Sequence, residues 1–481
     1  MNDLYQNKGE EVQTSFSFSS DVLAKALQRI YSQKMDVEGE IEPNLFHEIC
    51  RILDDAAADG VAQSEGKQMD DFLQQLQTNN EVFAAFKVHR IQRDMARLLL
   101  DSNGTLKPFE KWVQEVTPIA SHQVRHWLQT EYDTAVLRAH QAADWQQFLR
   151  ERDVLPNLKW MPSTSLHPGA DHRPFWNTIR PIDDPFWSKH RPGDRWNCKC
   201  DLTATDEEPT QLPDEDDNSK PQPGLDNNPG TDGILFSDSH PYFPNDCRHC
   251  AFYKPGFKGR VRNLFTNRSK DCYHCRGIRQ TLENTIEKER IKANKAEYQR
   301  LLKDENYTDV VFNKKTGGLK ATHVGHITHD TPKAERFFEG LTSSDLEREC
   351  QDQLVAMGHK ALFCDESKKK KGQQLPALDM IMDDRLMDIR SVTGKGWYSN
   401  IFVSKNDQLR RFNKREDLQD KANSLCLYFH NPELFNEEKM KKSINYFRFY
   451  RDKSGNLIDK DLKHIFCVIK GRTEIIRYDI E

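Results

Sequence analysis

Phe186-Trp187-Ser188-Lys189-His190-Arg191-Pro192-Gly193-Asp194-Arg195-Trp196-Asn197-Cys198-Lys199-Cys200 brings large aromatics, a Pro-Gly step and a Cys-x-Cys pair into one short stretch. Aromatics in such a loop fix it by burial against a scaffold, so Trp176, Phe186, Trp187 and Trp196 are expected as core anchors rather than a ligand cage. Cys198 and Cys200 read as alternating residues on a strand, one inward and one outward. The other reading joins them to His167 and His172 as zinc ligands, although one intervening residue is a less usual knuckle. Upstream lies a helical region. Ser19 and Ser20 cap a helix with the face Val22, Leu23, Ala26, Leu27 and Ile30, and a second helix carries Leu45, Ile49 and Leu53. Longer amphipathic stretches hold Phe83, Phe86, Ile91, Met95 and Leu98, then Trp112, Val116, Val124, Trp127, Tyr132 and Val136, ending near Arg152.

The chain has 481 residues, 36% of them hydrophobic and 30% charged, with a mean hydropathy of -0.83. Length alone suggests several domains, and this polarity leaves room for linkers and elongated helices. A net charge of -5 argues against a chain devoted throughout to nucleic-acid binding, though a whole-chain sum can hide a basic domain beside an acidic linker. No run approaches the roughly 18 apolar residues of a membrane span, and the first ten residues lack a signal-peptide core, which places synthesis in the cytoplasm and leaves no membrane role. The 11 cysteines include two Cys-x-x-Cys pairs, a pattern that suggests metal more than disulfides in a large cytosolic chain.

With Asp184-Pro185-Phe186-Trp187 as a turn, His167 and His172 in the loop before it, and Trp196-Asn197-Cys198-Lys199-Cys200 after it, the chain resembles the phage Mu F-like head morphogenesis family. Lys199 stands where that family usually has Arg. The resemblance covers residues 20–203. It implies a minor head protein of a tailed phage or prophage near the portal, with portal and head proteins as partners, present in the host cytoplasm during assembly and then in the virion head.

Residues 1–19 are polar and without apolar periodicity, and read as a flexible arm. Residues 204–235 contain Asp214-Glu215-Asp216-Asp217, repeated Pro and Gly and few large apolar side chains, so they read as a disordered acidic linker. Cys247-Arg248-His249-Cys250 and Cys272-Tyr273-His274-Cys275 follow. Two such pairs about twenty residues apart match zinc-ribbon spacing, and the expectation is one structural zinc on Cys247, Cys250, Cys272 and Cys275 in a module over 236–284. Four thiolates leave no open position for catalysis. The basic residues between the pairs, Lys254, Lys258, Arg260, Arg262, Arg268 and Lys270, would lower the thiol pKa values and can contact phosphate.

A charged helical connector over 285–305 leads to a domain over 306–481. Its pattern reads helix 344–357, strands 359–364, 378–382 and 386–392, helix 407–422, strand 425–430, helix 433–450 and closing strands 464–470 and 474–480. The expected fold class is multidomain α+β, with a helical N-terminal domain and a C-terminal α/β domain on a mixed sheet.

Pro376-Ala377-Leu378-Asp379 followed by Asp388-Ile389-Arg390 looks like a variant of the PD-(D/E)XK nuclease motif. That resemblance implies Mg²⁺ held by an Asp ending the second strand and an Asp on the third, with a lysine two positions later. Alternation puts Asp388 and Arg390 on one face, but an always-protonated guanidinium does not readily act as a base. The same domain also resembles the barnase/EndoU/colicin/RelE group of metal-independent nucleases. There the histidines of Gly317-Gly318-Leu319-Lys320-Ala321-Thr322-His323-Val324-Gly325-His326-Ile327-Thr328-His329, His323 and His326 above all, would take and give protons on RNA. Exposed polar residues on a loop or short helix are the plainer reading of that stretch. The lysines at 368–371 and the turn Gly394-Lys395-Gly396-Trp397-Tyr398-Ser399 could steer or cradle phosphate, with Lys395 beside the strand end. Two functions stand open: a virion protein whose C-terminal half is a nuclease-like effector on RNA (tRNA) or DNA, or an assembly protein whose C-terminal half only binds nucleic acid or protein.

Overall fold

The computed structural model describes residues 2–5, 14–33, 35–64, 69–165, 172–214, 220–253, 270–327, 338, 340–366, 377–415, 421–452 and 454–480. The chain forms two units, Met1–Ile286 and Glu287–Glu481. The first is helical, with α1 Asn2–Tyr5, α2 Ser20–Tyr31, α3 Pro43–Gln63, α4 Asp70–Ala96 and α5 Phe109–His122. A π-helical turn, Gln123–Trp127, joins α5 to α6, Leu128–Glu151. All but α1 form where the apolar spacing predicts a helix; α1 lies in the segment expected to be a flexible arm, and that expectation is corrected for Asn2–Tyr5, because Tyr5 is buried in the core. In α2 the buried face is Ala26, Leu27 and Ile30. In α3, Glu42 accepts from the Leu45 amide at 2.8 Å, and Pro43 sits in the first turn, where its missing amide costs nothing. Gly60 lets α3 lie close against α6, because a Cβ there would run into the Val136 carbonyl oxygen.

A buried ion pair lies in this bundle. Lys87 of α4 and Glu131 of α6 meet at 2.8 Å with neither side chain exposed. Lys87 also donates to the Gln123 carbonyl at 3.1 Å and the Tyr242 hydroxyl at 3.0 Å. The Tyr5 and Tyr242 hydroxyls each donate to Glu131 at 2.7 Å. Burial lowers the Lys87 pKa and the Glu131 charge opposes it.

After α6 come β1 Asn157–Met161, β2 Ile179–Pro181, a turn of helix α7 at Phe186–Lys189, and β3 Asp201–Thr205. The strands form an antiparallel sheet in the order β2-β1-β3. The aromatics of the opening stretch divide between two cores. Phe186 and Trp187 join Trp145, Trp160 and Phe175 over the small sheet, while Trp196 enters the helical core and stacks on Phe236 at 5.4 Å.

The expectation of a linker through residue 235 is corrected. Thr210 donates to the Ile179 carbonyl at 3.0 Å, and residues 222–236 are packed, with Leu225, Leu235 and Phe236 buried. A second turn of helix, α8 Pro229–Asp232, lies against α6. What holds this segment is polar: Arg138 of α6 donates to the carbonyls of Leu235, Gly193, Leu225 and Asn227. The Cys-x-x-Cys region is likewise no separate module, since Tyr242, Phe243, Phe252, Cys272, Tyr273 and Ile278 belong to the core of the helical bundle.

The boundary between units falls within α9, Arg276–Leu301. The second unit continues with β4 Tyr307–Phe312, β5 Leu319–His323, α10 Ser343–Ala356, β6 Lys360–Phe363, β7 Met380–Met382, β8 Arg385–Ser391, α11 Ser399–Asn413, β9 Ser424–Phe429, α12 Glu437–Arg448, β10 His464–Ile469 and β11 Ile476–Asp479. These strands make one mixed eight-stranded sheet in the order β11-β10-β9-β8-β7-β6-β5-β4. Three pairs, β5/β6, β8/β9 and β9/β10, are parallel. The apolar side chains of α10 cover one face, through Leu346, Cys350 and Leu354 on Phe363, Met380 and Met387. Those of α11 and α12 cover the other, through Phe402, Leu409, Met440 and Phe447 on Leu425, Leu427 and Ile465. The expected α+β organisation with a mixed sheet is found.

Two elements differ from expectation. The stretch read as a histidine-bearing loop begins with β5, which ends at His323, and turns through Val324 and Gly325 to His326, and the helix expected over 407–422 is α11, displaced toward the N-terminus. Its inward face includes the polar Asn406, which accepts from the Asp461 and Leu462 amides at 2.9 and 3.0 Å, so apolar periodicity alone does not find its start.

Removing one partner of the buried pair strands the other charge in the core, so Lys87→Met should destabilise the full chain by about 3–5 kcal/mol in urea unfolding. Adding Glu131→Gln should recover part of that loss. A single variant within about 0.5 kcal/mol of wild type would mean that the pair is solvated.

Candidate functional site

In the second unit the two carboxylates expected from sequence are neighbours. Asp379 stands immediately before β7, at the start of that strand rather than its end, and its Oδ2 accepts from the Ile389 amide at 2.9 Å. Asp388, in the middle of β8, is 1% exposed. It is ion-paired to Lys405 and accepts from the Gln408 side chain at 2.9 Å. Burial pushes the Asp388 carboxyl well above its ordinary value of 3.8; the Asp379 charge adds to this and Lys405 opposes it. Lys405 and Gln408 lie one turn apart on α11, hence on one face. Lys405 escaped the sequence reading because it began that helix at residue 407, and Gln408, inside the expected helix, carried no signal of its own.

The remaining candidates spread out from this pair. Arg390 shares the Asp388 face by alternation but is exposed at the end of β8. Lys395 is exposed in the following turn, where its carbonyl accepts from Lys439 at 2.7 Å. Trp397 in that turn is 54% exposed. His323 ends β5. The pairing of Thr322 with Phe363, and the Cys364 amide bond to the Asp379 carbonyl at 2.9 Å, place His323, Cys364, Asp379 and Asp388 in one row across the sheet. With two strand spacings between them, His323 is roughly 10 Å from Asp379. His326 is elsewhere. Its ring stacks at 4.4 Å on Phe363, a member of the cluster beneath α10, and its Nδ1 is 3.2 Å from the buried Glu366. The structure thus separates the two histidines. His167, His329, Pro376, the lysines at 368–371 and the basic residues at 254–268 lie outside the described residues.

Cys247 and Cys250 flank a tight turn, Cys247–His249, where Asp246 accepts from the Arg248 and His249 amides at 2.8 and 3.1 Å. Cys272 and Cys275 flank a second turn that leads into α9, and the Cys272 amide donates to Asp238 at 3.0 Å. Burial raises the Cys250 and Cys272 thiol pKa values, and the Cys250 thiol feels the charges of Cys275 and Cys247.

Among the described residues, two groups of three donor atoms lie within 4.8 Å of one another: His172, Cys198 and Cys200, and His140, Asp144 and Asp201. The four cysteines of the paired turns form no such group. His172 Nε2 is 2.7 Å from Asp194 Oδ1, and its Nδ1 is 3.4 Å from Cys198 Sγ. Burial alone would lower the His172 pKa, but hydrogen bonds to Asp194 and Cys200 carry it up to about 9. The hydrogen bond from Cys198 lowers the Cys200 pKa to about 4, against the effect of burial. Neither cysteine lies on a strand, so the alternation reading is corrected. Both precede β3, beyond a turn in which Asn197 takes φ 60°, a left-handed conformation that Asn tolerates. His172, Cys198 and Cys200 line a cavity of about 1050 Å³ together with His140, Trp176 and Asp201.

Residues 54–203, which include these groups, match the model of the family described as Phage Mu protein F like protein. The putative capsid assembly protein F of Escherichia phage Mu is 27% identical over 77 residues, 16% of this chain and 18% of that relative. The chain therefore matches under a fifth of that relative's length. No solved structure matches. The expected segment of 20–203 is matched from residue 54 onward, and the first folded unit continues to Ile286.

Because folding raises the Asp388 pKa, the ionised carboxylate opposes folding, and wild-type stability is lost as pH climbs from about 4 toward the raised value. Asp388→Asn should therefore stabilise the chain by about 0.5–2 kcal/mol at pH 8, with the gain shrinking toward pH 4. Thermal melts of both proteins at the two pH values measure this, and a difference independent of pH would rule out a raised pKa.

Proposed function

We propose that this chain is a minor head protein of a tailed phage or prophage, acting in head morphogenesis beside the portal, and that its second unit is a nuclease-like module. The match of residues 54–203 to the Mu F-like family supports the first part. It favours portal and head proteins as partners and the host cytoplasm, then the virion head, as location. No described helix is long and apolar enough to cross a membrane.

The observation behind the second part is the cluster Asp379, Asp388 and Lys405. The order α10-β6-β7-β8-α11-β9, with carboxylates at its second and third strands, agrees with the PD-(D/E)XK resemblance. Lys405, reaching in from α11, brings to Asp388 the ammonium of the motif lysine that Arg390 replaces in the sequence. A buried carboxylate pair is a fit for a hard divalent cation such as Mg²⁺, which would offset both the burial and the Asp379 repulsion that raise the Asp388 pKa. Mg²⁺ held there would supply a Lewis acid for phosphodiester hydrolysis. Gln408 orients Asp388, and the exposed Arg390, Lys395 and Trp397 offer charge and a stacking surface to a nucleic-acid strand. The metal-independent alternative is less well supported, since His326 lies against Phe363 in the cluster beneath α10 while Asp388 faces Lys405 of α11.

In purified virions the chain should cofractionate with the portal. With Mg²⁺ the full chain should cut plasmid DNA or tRNA, and EDTA, Asp388→Asn and Lys405→Met should each reduce cutting at least about 100-fold. Cutting that survives EDTA but fails in His326→Ala would transfer the activity to the histidines, and a chain that neither binds nor cuts either substrate at low salt would leave an assembly adaptor.

We further assign a structural zinc to Cys247, Cys250, Cys272 and Cys275, on the two facing turns and the thiol donor set. Metal analysis of Cys272→Ser/Cys275→Ser should show about one zinc fewer per chain than wild type, and an unchanged content would remove the assignment.

A further inference from the structure

We propose that His172, Cys198 and Cys200 form a second zinc site, one that ties the segment ahead of β2 to the segment ahead of β3. The donor set of one imidazole and two thiols suits a borderline-soft, tetrahedral cation. The spacing suits it as well. Zinc bonds of roughly 2.1 Å to nitrogen and 2.3 Å to sulfur put the two donors about 3.6 Å apart at a tetrahedral angle, and His172 Nδ1 to Cys198 Sγ is 3.4 Å. All three donors lie within 4.8 Å of one another, and neither cysteine is in a disulfide.

The surroundings of the imidazole point the same way. Its far nitrogen is held by Asp194 at 2.7 Å, and Asp194 is 1% exposed, with its other oxygen accepting from the Arg191 amide at 3.3 Å. A buried carboxylate on one ring nitrogen directs the lone pair of the other toward a metal and raises its basicity. The cavity lined by all three donors gives a water access to the remaining tetrahedral position.

The site also answers a packing need. Between β2 and β3 the regular structure is one turn of helix, Phe186–Lys189, and the core over the small sheet rests on a few aromatics such as Trp160, Phe175 and Trp187. An ion clasping His172, ahead of β2, and Cys198 and Cys200, just ahead of β3, closes the segment that carries Trp187 and Trp196, and its binding free energy adds to folding. This site shares no ligand with the paired turns and does not depend on the proposed role in the phage head.

The full chain carrying Cys272→Ser/Cys275→Ser isolates this site. After chelation and reloading with Co²⁺ it should take up about one ion per chain, with a thiolate-to-cobalt charge-transfer band in the near ultraviolet and tetrahedral bands in the visible. Adding Cys198→Ser/Cys200→Ser should abolish both. Asp194→Asn, which keeps every donor, should weaken binding roughly 10–100-fold in competition with a chelator, and decides the matter if the cysteine variant fails to fold. A folded chain that shows no thiolate band, a Cys198–Cys200 disulfide that persists in reduced buffer, or affinity unchanged by Asp194→Asn would overturn the proposal.

Discussion

The buried guanidinium of Arg138 is the interaction on which the first unit depends. Nε donates to the Leu235 carbonyl at 2.6 Å, Nη1 to Gly193 at 2.5 Å and Leu225 at 3.4 Å, and Nη2 to the Asn227 carbonyl and side chain at 3.1 and 2.8 Å. Burial, and then the neighbouring Arg191, lower the Arg138 pKa, and the ion is tolerated because protein oxygens replace its water and the charges of Asp232, Asp194 and Asp226 favour it. One side chain on α6 thereby fixes the Pro-Gly step beside the Cys-x-Cys pair and the whole of 225–235. The loop that holds His172, Cys198 and Cys200 and the segment after it are organised from a single helix position.

This explains what could and could not be read from the sequence. The helices were legible because burial follows a 3.6-residue period, as Ala26, Leu27 and Ile30 show. The strands of the second unit were legible where they are apolar throughout, as in β9 and β10. The segment 220–235 was not, because its stability comes from backbone carbonyls bonded to a distant arginine, and carbonyls carry no sequence signal. Lys405 was missed for a similar reason: the inward face of α11 includes Ser399 and Asn406, so its polar pattern hid the helix start. Asp379 and Asp388 were found together because strand alternation and a short connection determine their meeting. His323 and His326 read as one cluster, yet the end of β5 sends them apart.

The two units show different kinds of polar burial. In the first, Lys87 and Glu131 neutralise each other within a closed network, and nothing about them calls for a ligand. In the second, Asp388 keeps a raised pKa even with Lys405 beside it, because it is buried and Asp379 is also adjacent. Like charges held together against their own repulsion reduce stability, and functional sites are where such arrangements persist. The family match in the first unit and the carboxylate pair in the second are separate observations, and the proposed assembly role and the proposed nucleic-acid chemistry stand or fall separately.

That the first unit is one fold extending to Ile286, locked through Arg138, is tested most directly by amide hydrogen exchange on the full chain. Peptides covering 222–243 should exchange as slowly as those of α6, and Arg138→Met should release both this segment and residues 190–200. Exchange of 222–243 at the rate of an unstructured chain, with α6 still protected, would contradict the account.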